Sequence, residues 1–172
     1  MNLSQSFHER LVLTPEHGEM HDGAIRYMIM RPDALMGMFA RLDPDARRAA
    51  LEALAASVAE FGGKSVAAYR ASGAADASAM MRTITQTSAE LGWGRWTFQR
   101  CDTGAVEVTV RNSPFAQGME AADNPCCAPI VGILTAIAPL IAPADEGGAP
   151  TVHEHACAAQ DGTDLCRFAI GP

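Results

Sequence analysis

The strongest chemistry in the sequence is carried by Cys126, Cys127, Glu154, Cys157 and Cys166. Zinc takes about four ligands in a tetrahedron, and thiolate sulfur is its best protein donor. Three of these sulfurs and one carboxylate would close such a shell. The segments Thr151 to Cys157 and Leu165 to Ile170 read as a hairpin around Gln160-Asp161-Gly162-Thr163, which brings Cys157 and Cys166 together across its turn. On a straight strand Glu154 and Cys157 point to opposite faces. They converge only if a bulge or a strand end lies between them. Cys126 or Cys127 must arrive from the start of an apolar helix, where the helix dipole lowers a thiol pKa. Other readings of the same residues stay open. Cys126 and Cys127 also suit a plain core as small hydrophobes. Cys157 and Cys166 would pair as a disulfide in a secreted chain, and His153 or His155 would serve in place of Glu154.

The elements that must position these residues follow from periodicity. Ala24 to Met30 reads as a strand ended by Pro32. Pro32-Asp33 opens a short helix carrying Leu35, Met36, Met38, Phe39 and Leu42. Asp43-Pro44 opens another, with an N-cap residue followed by proline at the first helical position. Its apolar residues Leu51, Leu54, Ala55 and Val58 recur at helical spacing, and Gly62-Gly63 reads as its end. A further helix covers Ala75 to Leu91 and stops at Gly92. The period then changes. Trp93 to Cys101 and Ala105 to Arg111 are strands around Asp102-Thr103-Gly104, with Val106, Val108 and Val110 alternating with Glu107 and Thr109, the mark of a half-buried antiparallel pair. An apolar helix follows near Ile130 to Ile141, and Asp145-Glu146-Gly147-Gly148 is a loop. Helices and hairpins come in blocks without βαβ alternation, so the fold class is α+β, an antiparallel sheet of hairpins with packed helices.

Composition bounds the rest. The chain has 172 residues, 48% hydrophobic and 19% charged, with 13 lysines and arginines against 20 acidic residues and a net charge of −7. That length suits one domain, and the hydrophobic content excludes disorder. The negative charge argues against direct nucleic-acid binding. Pro125 to Ala144 is 20 residues without a charge, but four prolines interrupt it. Its continuous stretch Ile130 to Ala138 spans roughly 13 Å, so a core helix is expected and no membrane span. The N-terminus has no basic region followed by an apolar run, and a cytoplasmic location is expected. There is no Ser/His/Asp arrangement, phosphate loop or dinucleotide fingerprint.

Single residues add less. Of nine methionines, Met28, Met30, Met36, Met38, Met80, Met81 and Met119 are either ordinary core or the lining of an adaptable apolar pocket. Trp93 and Trp96 are expected on opposite faces of one strand. Arg95 between them is a solvated strand residue or a holder of a ligand carboxylate. Arg26 and Arg31 are expected to pair with acidic neighbours, and His8, His17 and His21 to lie on the surface.

The ordered motifs Gly92-Trp93-Gly94, Arg111-Asn112-Ser113, Pro125-Cys126-Cys127 with Gly132, Glu154-x-x-Cys157 and Gly162-x-x-x-Cys166-Arg167-Phe168 resemble the vinyl-reductase (hydrocarbon-binding) domain family. Its relatives include bacteriochlorophyll vinyl-reductase-type proteins and the sensory domains of phenol- and toluene-responsive activators. The resemblance is clearest over residues 91–172. It implies a fold similar to the ligand-binding fold of NO-signalling and transport-particle proteins, and a homodimer. It implies a structural zinc on Cys127, Glu154, Cys157 and Cys166, with Cys126 as the alternative first ligand. It further implies a single small-molecule-binding domain over residues 1–172, a sensor or carrier for a small apolar or aromatic ligand near Trp93, Trp96, Val110 and Met36. Alternatives are an accessory or enzyme in (bacterio)chlorophyll vinyl reduction and a protein-interaction module; no catalytic residue is assigned, and a binding role is expected ahead of an enzymatic one. Two departures stand out. The loop Ala158 to Leu165 is one residue longer than the family pattern. Val110 stands where the sensors carry the tryptophan that helps read phenol, which disfavours phenol itself.

Overall fold

A computed structural model describes residues 2–119, 122–142 and 148–171. The order is α1 (Phe7–Arg10), β1 (Val12–Thr14), β2 (Glu19–Asp22), β3 (Ile25–Arg26), α2 (Pro32–Ala40), α3 (Pro44–Ala71), α4 (Ala77–Glu90), β4 (Arg95–Arg100), β5 (Val106–Arg111), α5 (Pro114–Gln117), α6 (Ala128–Ile141), β6 (Thr151–Ala156), α7 (Ala158–Asp161) and β7 (Leu165–Gly171). The strands form two antiparallel sheets, β1-β2-β3 and β4-β5-β7-β6. The fold is α+β. The described residues contain no helix long and apolar enough to cross a membrane.

The alternation of β5 settles which face of the larger sheet is inside. Val106, Val108 and Val110 are buried, as are Trp96 on β4 and Cys166, Phe168 and Ile170 on β7. Register places Trp96 beside Val110 and Val110 beside Cys166. These three therefore form one row on the inner face. The fully buried Ile130, Leu134, Ile137 and Ile141 of α6 belong to the same core. Burying side chains of this size contributes about 1.5–3 kcal/mol each.

Three sequence expectations change. The helix opened by Asp43 does not end at Gly62-Gly63; α3 runs on to Ala71. Whereas Gly63 has open space, Gly62 serves close packing, since a Cβ there would stand 2.5 Å from Ile133 Cδ1 on α6. Facing it, a Cβ on Gly132 would stand 2.6 Å from the Ala55 carbonyl oxygen of α3. The expected strand Ala24 to Met30 shrinks to Ile25–Arg26, with one further bond from the Tyr27 N–H to the Met20 carbonyl at 2.8 Å. No ladder bond holds the chain beyond Tyr27. Met28 and Met30, past the last ladder bond, and Met38 of α2 are exposed and not core, whereas Met36, Met80 and Met119 are buried.

The apolar helix passes through Pro139 to Ile141, beyond the stretch counted as continuous. Ile141 is fully buried, and its carbonyl accepts from Arg100 Nη2 at 2.9 Å. Both interactions offset the loss of the proline N–H. The loop expected at Asp145-Glu146-Gly147-Gly148 falls, except for Gly148, outside the described residues.

Candidate metal centre

The final hairpin positions three of the donors. β6 pairs with β7 in regular register until Glu154, opposite Phe168, and shifts between Glu154 and Ala156. That bulge turns Cys157 to the side on which Glu154 lies, as convergence requires. Glu154, Cys157 and Cys166 are all buried, while His153 and His155 on the other face are exposed. His155 Nε2 meets Glu107 Oε1 at 2.9 Å. The loop after Cys157 forms the single turn α7, closed by Gly162 in the left-handed region at φ 70°.

Cys127 arrives from the other side as the N-cap residue of α6. Its neighbourhood is set by Ser113, whose side chain caps α5 and whose Oγ lies 3.2 Å from Cys127 Sγ. Sequence reasoning singled out Ser113 only as the end of a strand motif. A Ser-Pro pair is itself an N-cap signal, but nothing local says which buried sulfur the cap will touch. The preceding glycine motif is also structural. Gly94 has φ +90°, and a Cβ there would meet the Arg111 carbonyl oxygen at 2.5 Å. Only glycine lets β4 enter the sheet this close to the end of β5.

Donor atoms of Cys127, Glu154, Cys157 and Cys166 all lie within 4.8 Å of one another, so this buried group could hold a metal ion. Cys127 Sγ is 3.5 Å from Cys166 Sγ. Cys126 Sγ stands 3.6 Å from Cys157 Sγ, beside the group. Glu154 Oε2 accepts the Cys127 backbone N–H at 2.9 Å, and Glu154 Oε1 is buried without a hydrogen-bond partner. A buried, unpaired carboxylate oxygen costs several kcal/mol. The Ala158 N–H donates to Cys166 Sγ at 3.4 Å, an outer-shell contact of the kind that orients a ligand.

Protons distribute unevenly over this cluster. Burial, together with the charge on Cys157, pushes Glu154 up to about 8. The contacts of Cys157 with Cys126, Cys127 and Cys166 hold its thiol far below the usual range. Cys127 is raised, by its contacts with Cys126 and Cys157 and by burial, and Cys166 by its contacts with Cys127 and Cys157. The lowering expected for Cys127 from the α6 dipole is therefore overridden.

The four residues named for a ligand sit close by. Trp96, Val110 and Met36 are 0–2% exposed and belong to one core cluster, against which half-buried Trp93 packs. Trp93 precedes β4 instead of lying within it, so the opposite-faces reading does not apply. Its ring meets Phe115 edge-on at 5.1 Å. The Trp96 indole N–H donates to the Trp93 carbonyl at 3.0 Å. Arg26 pairs with Glu19 and Arg31 with Asp33. A separate cavity of about 20 Å³ is lined by Leu3, Arg10, Thr83, Thr87 and Glu90, among others; it has room for one water-sized molecule and touches none of the residues above.

Comparison with known proteins places the architecture. No family model matches the chain, and no curated protein does. Among solved structures, the phenol-responsive sensory domain of the transcription activator PoxR, crystallised with phenol, is similar with a TM-score of 0.77. The match covers 98% of this chain and 87% of that one, at 18% identity. A vinyl-4-reductase family protein from Methanocaldococcus jannaschii matches at a TM-score of 0.45 and 13% identity, covering 86% of this chain and 98% of that one. The α+β fold is that of the PoxR sensory domain.

Proposed function

We propose that this chain is a binding domain for a small apolar or aromatic molecule, acting as a sensor or carrier and stapled by a structural zinc. The observation that carries the metal half is the buried carboxylate oxygen of Glu154 left unpaired among three thiols. A divalent cation supplies the missing partner. Zinc with Zn–S bonds of about 2.3 Å separates its sulfurs by roughly 3.8 Å, close to the 3.5 Å between Cys127 and Cys166. Cys127, Glu154, Cys157 and Cys166 would fill the shell and leave no open position, so the ion ties the final hairpin to α6 and does no chemistry.

The ligand half is supported by the likeness to a phenol-responsive sensory domain over nearly the whole chain. The inner row Trp96, Val110 and Cys166 runs from the proposed ligand residues to the metal residues. The chemistry of these residues favours an apolar ligand over phenol. Val110 offers no hydrogen bond, and the only donor on Trp96 is already given to Trp93. Methionine at position 36 suits a site that reshapes around its guest. We also infer a homodimer. Val12 and Leu13, at 61% exposure, and Met28 and Ile29, at 73% and 89%, are large apolar side chains open to such a contact.

Native mass spectrometry of the purified chain tests the whole reading. The expected species is a dimer with one zinc per chain, and a thermal shift with toluene-class ligands larger than with phenol. A metal-free monomer that no apolar ligand stabilises overturns it and favours a protein-interaction module.

A further inference from the structure

We propose that the open face of the β4-β5-β7-β6 sheet docks a carboxylate-rich segment of a partner protein through Arg95, Arg111 and Arg167. Arg95 and Arg111 are register partners on adjacent strands, and both point outward. Like charges placed directly opposite destabilise a sheet. Arg167, opposite Thr109 on β7, is the diagonal neighbour of Arg111 on the same face. All three side chains are exposed. Arg111 is held by Asp164, and the remaining acid of this face, Glu107, is engaged by His155. Among the described residues Arg95 and Arg167 have no ion pair. In a chain of net charge −7, most exposed surface repels an acidic partner, and this face is where one is drawn.

The three arginines also occupy positions of interest in the pleat. Each is the chain neighbour of an inner-row residue: Arg95 of Trp96, Arg111 of Val110 and Arg167 of Cys166. Strand alternation puts one member of each pair inside and the other outside. A shift of the inner row on ligand or metal binding therefore changes the spacing of the outer arginines. That relay rests on the function proposed above; the docking face does not.

The probe is a fluorescein-labelled oligoglutamate peptide, followed by fluorescence anisotropy at low and high salt. Wild-type protein should bind it at low salt. R95E/R167E should weaken binding at least about tenfold, and R95Q/R167Q by an intermediate factor. R70E/R82E changes the net charge equally at exposed positions off this sheet and should bind as wild type does. No binding by wild type, equal loss in both reversed variants, or tighter binding of a single-stranded oligonucleotide each overturns the proposal. Metal content and ligand shifts are measured on the same samples. A metal-free, ligand-free chain that still binds oligoglutamate sinks the binding-domain reading and leaves the docking face standing.

Discussion

Gly132 and Gly62, at the contact of α3 and α6, and Gly63, with open space beside it, should respond to alanine in three different ways. In Gly132→Ala the new Cβ would stand 2.6 Å from the Ala55 carbonyl oxygen and 2.7 Å from Val58 Cβ. A helix carbonyl cannot yield without moving α3, so the two helices must part. Overpacking of this kind costs about 1–3 kcal/mol, against a gain of about 1 kcal/mol from replacing glycine within a helix. The net expectation is a loss of about 1–2 kcal/mol. Parting the helices also displaces Cys127, which begins α6, so metal affinity should fall with stability. In Gly62→Ala the clash is with Ile133 Cδ1, the tip of a flexible side chain. A rotamer adjustment of about 0.5–1.5 kcal/mol offsets the helix gain, and the change should be close to neutral. In Gly63→Ala nothing lies within 4 Å of the new atom, so the full gain of about 1 kcal/mol should appear. A chain of this size moves by about 2–4 °C in Tm for each kcal/mol. Urea and thermal unfolding of the metal-loaded protein read the series. Gly132→Ala at or above wild type, or Gly63→Ala below it, would show that the helices do not meet as described.

Removing one thiolate tests the staple: Cys157→Ser should lose the metal by elemental analysis and lower Tm sharply, and retained zinc with an unchanged Tm would count against it. In metal-free protein the folded Glu154 titrates near 8 against a usual 4.5. The folded state then holds the extra proton between those values, so stability falls as pH rises through that window. Chemical denaturation across pH 5–8 (roughly the span of that shift) should show the slope, and Glu154→Gln should flatten it; an unchanged slope in the variant would assign it elsewhere. The buried Arg10–Asp22 pair, 3.1 Å apart and 7% and 5% exposed, should cost about 3–5 kcal/mol when Asp22→Ala leaves the guanidinium alone. A loss under about 1 kcal/mol in equilibrium unfolding would mean water reaches Arg10.

Local pattern determined much of this protein. The alternation of Val106, Val108 and Val110 assigned a buried face, and Asp43-Pro44 marked where α3 starts, because period and capping depend only on near neighbours. The chemistry of Cys127, Glu154, Cys157 and Cys166 was likewise legible as donor types, along with the condition that a bulge must separate Glu154 from Cys157. Tertiary structure decided where the bulge falls, which glutamate oxygen is left without a partner, and that the histidines beside it face away. It also carried α3 through the expected helix end at Gly62-Gly63 and made Gly62 a packing position, since only the approach of α6 supplies the reason for its missing side chain. Met28 and Met30 were left outside because the ladder bonds stop at Tyr27. Arg95 meeting Arg111 depends on register, and register is a property of two strands that no single stretch of sequence contains.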